Sequence, residues 1–170
     1  MTPPEGNLGL LAHRAALADQ LFFPCDVERL ANGNTLITDA GDLQSAGSKV
    51  LEIDPTHADA SNYLGYMFAE EGIKLDEALA LIRRALEIEP ENGAYIDSLG
   101  WVYFKKGDYK KAVRHLEEAE AYASEDPLIK EHLGDAYLKA DLKDRALEMY
   151  ERALVLEPDK DELKKKIETL

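Results

Sequence analysis

Cysteine and tryptophan each occur once in this chain, as Cys25 and Trp101, and 20 basic residues face 34 acidic ones. A single cysteine excludes an internal disulfide framework and a thiolate metal site. Histidine is also scarce: His13, His57, His115 and His132 include no pair three or four residues apart, so no metal-type cluster is expected. His132 reads as a helix-face residue beside Leu133, and His115 as a partly exposed helix residue. No apolar run approaches the ~18 residues of a membrane span. The opening Met-Thr-Pro-Pro-Glu-Gly has no basic stretch ahead of an apolar one, as a secretory signal would. The default compartment is therefore the cytoplasm, with envelope association left open. The formal charge is −14, which argues against nucleic acid and anionic membranes, because phosphate binding is carried by Lys and Arg clusters. No phosphate-cradling Gly loop and no activated Ser or Cys motif is present. With no nucleophile or base to start from, no catalytic residue, metal or cofactor is expected, and the chain does not read as an enzyme.

What is abundant is repetition. Leu64-Gly65, Leu99-Gly100 and Leu133-Gly134 recur at intervals of 35 and 34 residues. From Gly65 the steps are 13 to Ala78, 7 to Ala85 and 5 to Pro90. Gly100 gives 12 to Ala112, 7 to Ala119 and 5 to Ser124, and Gly134 gives 12, 7 and 5 to Ala146, Ala153 and Pro158. The first unit's extra residue falls in its turn, around Gly72-Ile73-Lys74. A period near 34 marks stacked helix-turn-helix units. Small residues at Gly65, Gly100 and Gly134 let the first helix approach the Ala78, Ala112 or Ala146 side of the second. Leu64, Leu99 and Leu133, with Phe68, Tyr103 and Tyr137, supply the apolar stripe. Gly72 and Gly107-Asp108 signal turns, while Pro90 and Pro158 stop second helices. The pattern predicts helices over 58–71, 75–88, 93–106, 109–123, 127–140 and 143–156. A short amphipathic helix follows from Asp161 to Leu170, with Leu163 and Ile167 on one face and Lys164, Lys165 and Lys166 solvated.

Residues 58–160 resemble three tetratricopeptide repeats, and the closing helix resembles the capping helix that usually follows them. The departures are Ser124 in place of Pro, Asp141 where a turn Gly is usual, and Ser61, Ile96 and Lys130 where Trp is common. The resemblance implies an all-α, right-handed solenoid of helical hairpins divided as 58–92, 93–126, 127–160 and a cap at 161–170. It implies a protein-interaction module, since such solenoids present extended binding surfaces.

Residues 1–57 depart from that pattern. A fourth unit counted backward ends well, because Val50-Leu51-Glu52-Ile53-Asp54-Pro55 echoes Ala85-Leu86-Glu87-Ile88-Glu89-Pro90. Yet Gly41 and Gly47 would lie in or beside helices, each at ~1 kcal/mol against Ala, and Leu43 replaces a small residue. A hairpin over 26–39 around Asn32-Gly33, with a strand from Lys49 to Ile53, fits better. This stretch resembles one blade of a quinoprotein or NHL-type β-propeller. Leu8 to Phe23 is compatible with a helix.

In the repeat family the first helices line the concave side. A second stripe on those helices comprises Asp59, Asn62, Tyr66 and Ala69; Ala94, Asp97, Trp101 and Phe104; and Leu128, Glu131, Asp135 and Leu138. Four carboxylates, three aromatic rings and no Lys or Arg suit a partner peptide or helix with basic side chains and apolar anchors. The partner-binding set expected is Asp59, Asn62, Tyr66, Asp97, Trp101, Phe104, Glu131, Asp135 and Leu138. Trp101, Tyr66 and Phe104 are also compatible with interhelix core, and the acids with ordinary solvated positions. Two other readings stay open: a self-associating structural protein, as a homodimer, and a fusion or junction product that keeps a folded array without a function of its own.

Overall fold

The computed structural model describes residues 40–170, in which eight helices follow one another with no strand. They are α1 (Ala40–Ile53), α2 (Ala58–Glu71), α3 (Leu75–Ile88), α4 (Gly93–Lys105), α5 (Tyr109–Tyr122), α6 (Pro127–Lys139), α7 (Lys143–Leu156) and α8 (Asp161–Glu168). The most extensive contacts join α2 to α3, α4 to α5 and α6 to α7, so each hairpin is one unit. Each second helix also packs on the next unit's first helix: α3 on α4, α5 on α6, and α7 on α8. Successive first helices touch, α2 with α4 and α4 with α6, whereas contact from α3 to α5 or α5 to α7 is marginal at most. The first helices therefore form the tighter, inner side of the stack.

Local chemistry sets the boundaries. First helices are capped at equivalent positions by side chains that accept from exposed N–H groups. His57 Nδ1 takes the Ala60 N–H at 3.3 Å, Asn92 Oδ1 takes that of Ala94 at 3.1 Å, and Asp126 Oδ1 takes that of Leu128 at 2.8 Å. The hairpin turns need a left-handed residue at one register position, with φ of 68° at Gly72, 78° at Gly107 and 62° at Asp141. Asp141 is the residue that breaks the glycine pattern, and it adopts the same conformation without it. Ser124 replaces a stop proline, yet α5 has the same 14 residues as α3 and α7; the Ser124 carbonyl accepts from the Lys130 ammonium.

The core runs between the helix layers. Leu64, Leu99 and Leu133 are buried with Ala78, Ala112, Ala146, Phe68, Tyr103 and Tyr137. Close approach at the repeated glycines is real, though its partner lies one turn beyond the alanines. A Cβ added to Gly100 would lie 2.7 Å from Leu116 Cγ, and one on Gly134 would lie 2.4 Å from Tyr150 Cε1. Leu163 of α8 is fully buried against this core, a contribution of roughly 1.5–3 kcal/mol that anchors the cap.

The sequence expectation for residues 49–53 needs correction. They are the last turns of a helix, α1, not a strand. α1 packs on α2 as α3 packs on α4, so it occupies the place of a second helix ahead of the first complete pair. Its Gly47 is buried in ordinary van der Waals contact with Leu64 Cβ, 3.6 Å from where a Cβ would sit, and Leu51 packs on the core. Packing on α2 outweighs the glycine propensity cost that favoured a hairpin. The hairpin expected over 26–39 and the helix over 8–23 lie outside the described residues.

Candidate functional site

The first-helix stripe divides into four tiers of equivalent residues. One tier is Asn62, Asp97 and Glu131; the next is Tyr66, Trp101 and Asp135; a third is Ala69, Phe104 and Leu138; the last is Asp59, Ala94 and Leu128. Burial is strongest in the middle of the stripe, at Asn62, Tyr66, Asp97, Trp101 and Glu131. Toward its edges Asp59 and Leu138 are exposed and Phe104 and Asp135 half-buried, whereas Ala69 is buried.

Each carboxylate in the stripe has a partner within the chain. Asp97 is 4% exposed and its two oxygens both lie 3.0 Å from Nδ1 of His132, itself 4% exposed. Glu131 bonds Lys160 at 2.7 Å and Lys166 at 2.9 Å. Asp135 takes Lys166 at 2.7 Å and the Tyr150 hydroxyl at 2.6 Å. Asp59 accepts from the Tyr95 hydroxyl. Asp97 to His132 and Glu131 to Lys166 are both steps of 35 residues, one repeat plus one position. The cap thus extends a ladder in which an acid of one unit meets a base from the next. Asn62, the amide in the same tier, has an Oδ1 that is buried without a hydrogen-bond partner.

Burial by itself would push the His132 imidazole down. The Asp97 carboxylate, aided by the more distant Glu70 and Asp135, outweighs it and holds the imidazole above its ordinary 6.5, which favours its charged form. Burial would likewise push Glu131 up, but Lys166 and Lys160 bring it below the usual carboxylate range. Lys166 rises despite burial because Asp135 and Glu131 stabilise its charge.

Aromatic rings floor the same region. The His132 ring stacks on Trp101 with centroids 3.9 Å apart, and Trp101 stacks on Phe104 at 4.6 Å. Tyr66 lies tilted 6.3 Å from His132. The Trp101 indole N–H donates to Glu70, and the Lys105 ammonium lies 4.9 Å from the Trp101 ring centre. A stacked column of Phe104, Trp101 and His132 thus links α4 to α6.

Sequence reasoning brought these stripe residues together but missed their partners, His132, Lys160, Lys166, Tyr150 and Glu70. His132 is more than a helix-face residue, and Lys166 is not solvated as Lys164 and Lys165 are: it reaches back to α6. The missed signal was the offset of 35 from Asp97 to His132 and from Glu131 to Lys166. None of the helices in the described residues is long and apolar enough to cross a membrane.

Residues 98–161 match the family model of the tetratricopeptide repeat. A repeat-containing protein of Pseudomonas aeruginosa, PA4667, is 30% identical over 117 residues, covering 66% of this chain and 20% of its own length. This chain thus spans about a fifth of that relative. The solved structure of TTC0263, a thermophilic repeat protein of Thermus thermophilus, aligns with a TM-score of 0.65 at 22% identity, over 76% of this chain and 73% of that one. The structure of Pseudomonas aeruginosa pilF aligns equally well, at 0.65 and 26% identity, over 75% of this chain and 59% of its own. Period, hairpin stacking, family match and structural likeness agree: the described part of this chain is a tetratricopeptide-repeat solenoid.

Proposed function

We propose that this chain is a protein-interaction module that seats a peptide or helix of a partner protein along its first helices. The repeat fold supports interaction with other proteins in general, and the stripe supplies the particular surface. The observation that carries the reading is the apolar part of the stripe, where half-buried Phe104 stacks on Trp101 and Leu138, at the equivalent position one unit on, is exposed. Rings and aliphatic side chains that line a recess give affinity, while neighbouring charges give register. Asp135, half-buried beside Leu138, favours a basic side chain next to an apolar anchor. Such a side chain competes with Lys166 for the carboxylate, so the pairing within the chain sets a threshold that a partner must exceed. In this reading the protein does no chemistry of its own.

Trp101 is the one tryptophan of the chain, so its emission reports directly on this surface. Titration with an extended, proline-interrupted peptide of Lys and Phe should shift that emission saturably. A Phe104→Ala/Leu138→Ala double variant should bind about tenfold more weakly, a loss of ~1.4 kcal/mol. Unchanged emission, or equal affinity of the variant, contradicts the reading.

A further inference from the structure

Outside the stripe, the last residues of α1, α3, α5 and α7 are Ile53, Ile88, Tyr122 and Leu156. They follow one another at 35, 34 and 34 residues and are 87%, 48%, 51% and 36% exposed. Three of the residues two positions earlier, Leu51, Leu86 and Leu154, pack on the core, so the terminal side chain of each helix is left facing outward. Four helices in equivalent places thus offer one large apolar group each, in a row along the edge where the units join. Val155, beside Leu156, adds to the row at its C-terminal end and is also exposed.

Carboxylates frame this row. Glu52 and Asp54, Glu87, Glu89 and Glu91, Glu125 and Asp126, and Glu157 and Asp159 lie within four residues of its members. The one ammonium in the connecting segments is that of Lys160, and it is held by Glu157 and Glu131. Apart from Glu157, and in contrast with the stripe, none of these acids forms an ion pair with a base among the described residues. We propose that this edge is a second docking surface, one that takes a basic amphipathic helix of another protein.

A helix presents both complements of this edge at once, an apolar stripe for the row with Lys or Arg on either side for the carboxylates. Second helices make at most marginal contact with one another, so the row advances by more than the roughly 8–10 Å between packed helices. An α-helix climbs about 10.5 Å in seven residues, so apolar residues seven or more positions apart meet successive row members. Charge decides among the occupants. Residues 1–39 carry five acidic and two basic residues, which rules them out as a basic ligand. α8, the amphipathic helix that carries the Lys164–Lys166 run, has Leu163 buried in its own core, so a second copy cannot offer it. Nucleic acid and anionic lipid are repelled.

The test uses the full chain and a labelled synthetic helix of about three heptads, with Leu at every seventh position and Lys and Arg flanking it. Fluorescence anisotropy should report saturable binding at low salt that weakens near physiological ionic strength, where the Debye length is about 8 Å. An Ile88→Ser/Tyr122→Ser variant keeps every charge and changes only exposed side chains, and it should bind about tenfold more weakly. The Phe104→Ala/Leu138→Ala variant should bind as the parent does, and Trp101 emission should not move. Equal binding of a peptide with the same charge but scrambled Leu positions would overturn the proposal, since it would reduce the effect to charge alone. So would absence of binding, or a loss that follows the inner-side variant instead of the edge variant. Failure here leaves the reading of the inner surface untouched, because that reading is scored on Trp101 emission.

Discussion

The inner stripe and the outer edge of this solenoid are both rich in carboxylates, yet their charges stand in opposite situations. On the stripe, Asp97 meets His132, and Glu131 and Asp135 meet Lys166, each base arriving from one unit further along. At the edge, Glu52, Glu87 and Glu125 sit beside exposed apolar residues with no such base in the connecting segments. The difference teaches that composition of a face does not give its field. An acid buried at a repeat junction must be paired to be tolerated there, and the next unit is the nearest source of a partner. An acid in a connecting turn is solvated and keeps its charge available for steering.

Removing single groups should separate the two regions most sharply. His132→Ala leaves the buried Asp97 without its partner and removes the ring stacked on Trp101. Breaking a buried pair in this way costs about 3–5 kcal/mol, read as a lower denaturation midpoint. Asp97→Ala should cost less, about 1.5–3 kcal/mol, because the orphaned imidazole can lose its proton. At the edge, Glu87→Ala should stay within about 0.5 kcal/mol. Similar losses for all three would erase the contrast.

A smaller effect probes the turn that the repeat leaves to a non-glycine residue. Asp141 holds a φ of 62° where the other two turns use Gly72 and Gly107. A left-handed conformation costs ~1–2 kcal/mol for an L-residue, less for Asp, and glycine loses part of that gain through greater unfolded-state freedom. Asp141→Gly should therefore stabilise by ~0.5 kcal/mol, seen as a slight rise in melting temperature. A loss of stability would mean that the Asp141 side chain contributes something the turn geometry does not include.

How far the sequence revealed this follows from which interactions are local. The helices of the three pairs and the cap end within two residues of where glycine, alanine and proline spacing put them, because turns and helix ends are written in short segments. The buried first-helix tiers were legible as a stripe. Their pairing was not, since His132 lies 35 residues from Asp97 and Lys166 lies 35 and 31 residues from Glu131 and Asp135, separations that only the repeat geometry brings together. α1 was misread for the reverse reason. Local signals, glycines at 41 and 47 and a hairpin-like Asn32-Gly33, argued against a helix, and packing on α2 decided it.

The central claim is that the stripe acids are committed within the chain, and His132 gives its most direct test. Trp101 stacks on that ring, and an imidazolium quenches indole emission where a neutral imidazole does not. A pH titration of Trp101 fluorescence in the native protein should therefore show a rise in emission with a midpoint above 6.5, the ordinary imidazole value. Because the folded value is raised, the stability this pair contributes is fully present below pH 6.5 and is lost as pH climbs through the folded midpoint. An emission midpoint above 6.5 that disappears in Asp97→Asn is the predicted result. A midpoint at or below 6.5, unchanged in that variant, would contradict the account and return Asp97 to the acids free to meet a partner.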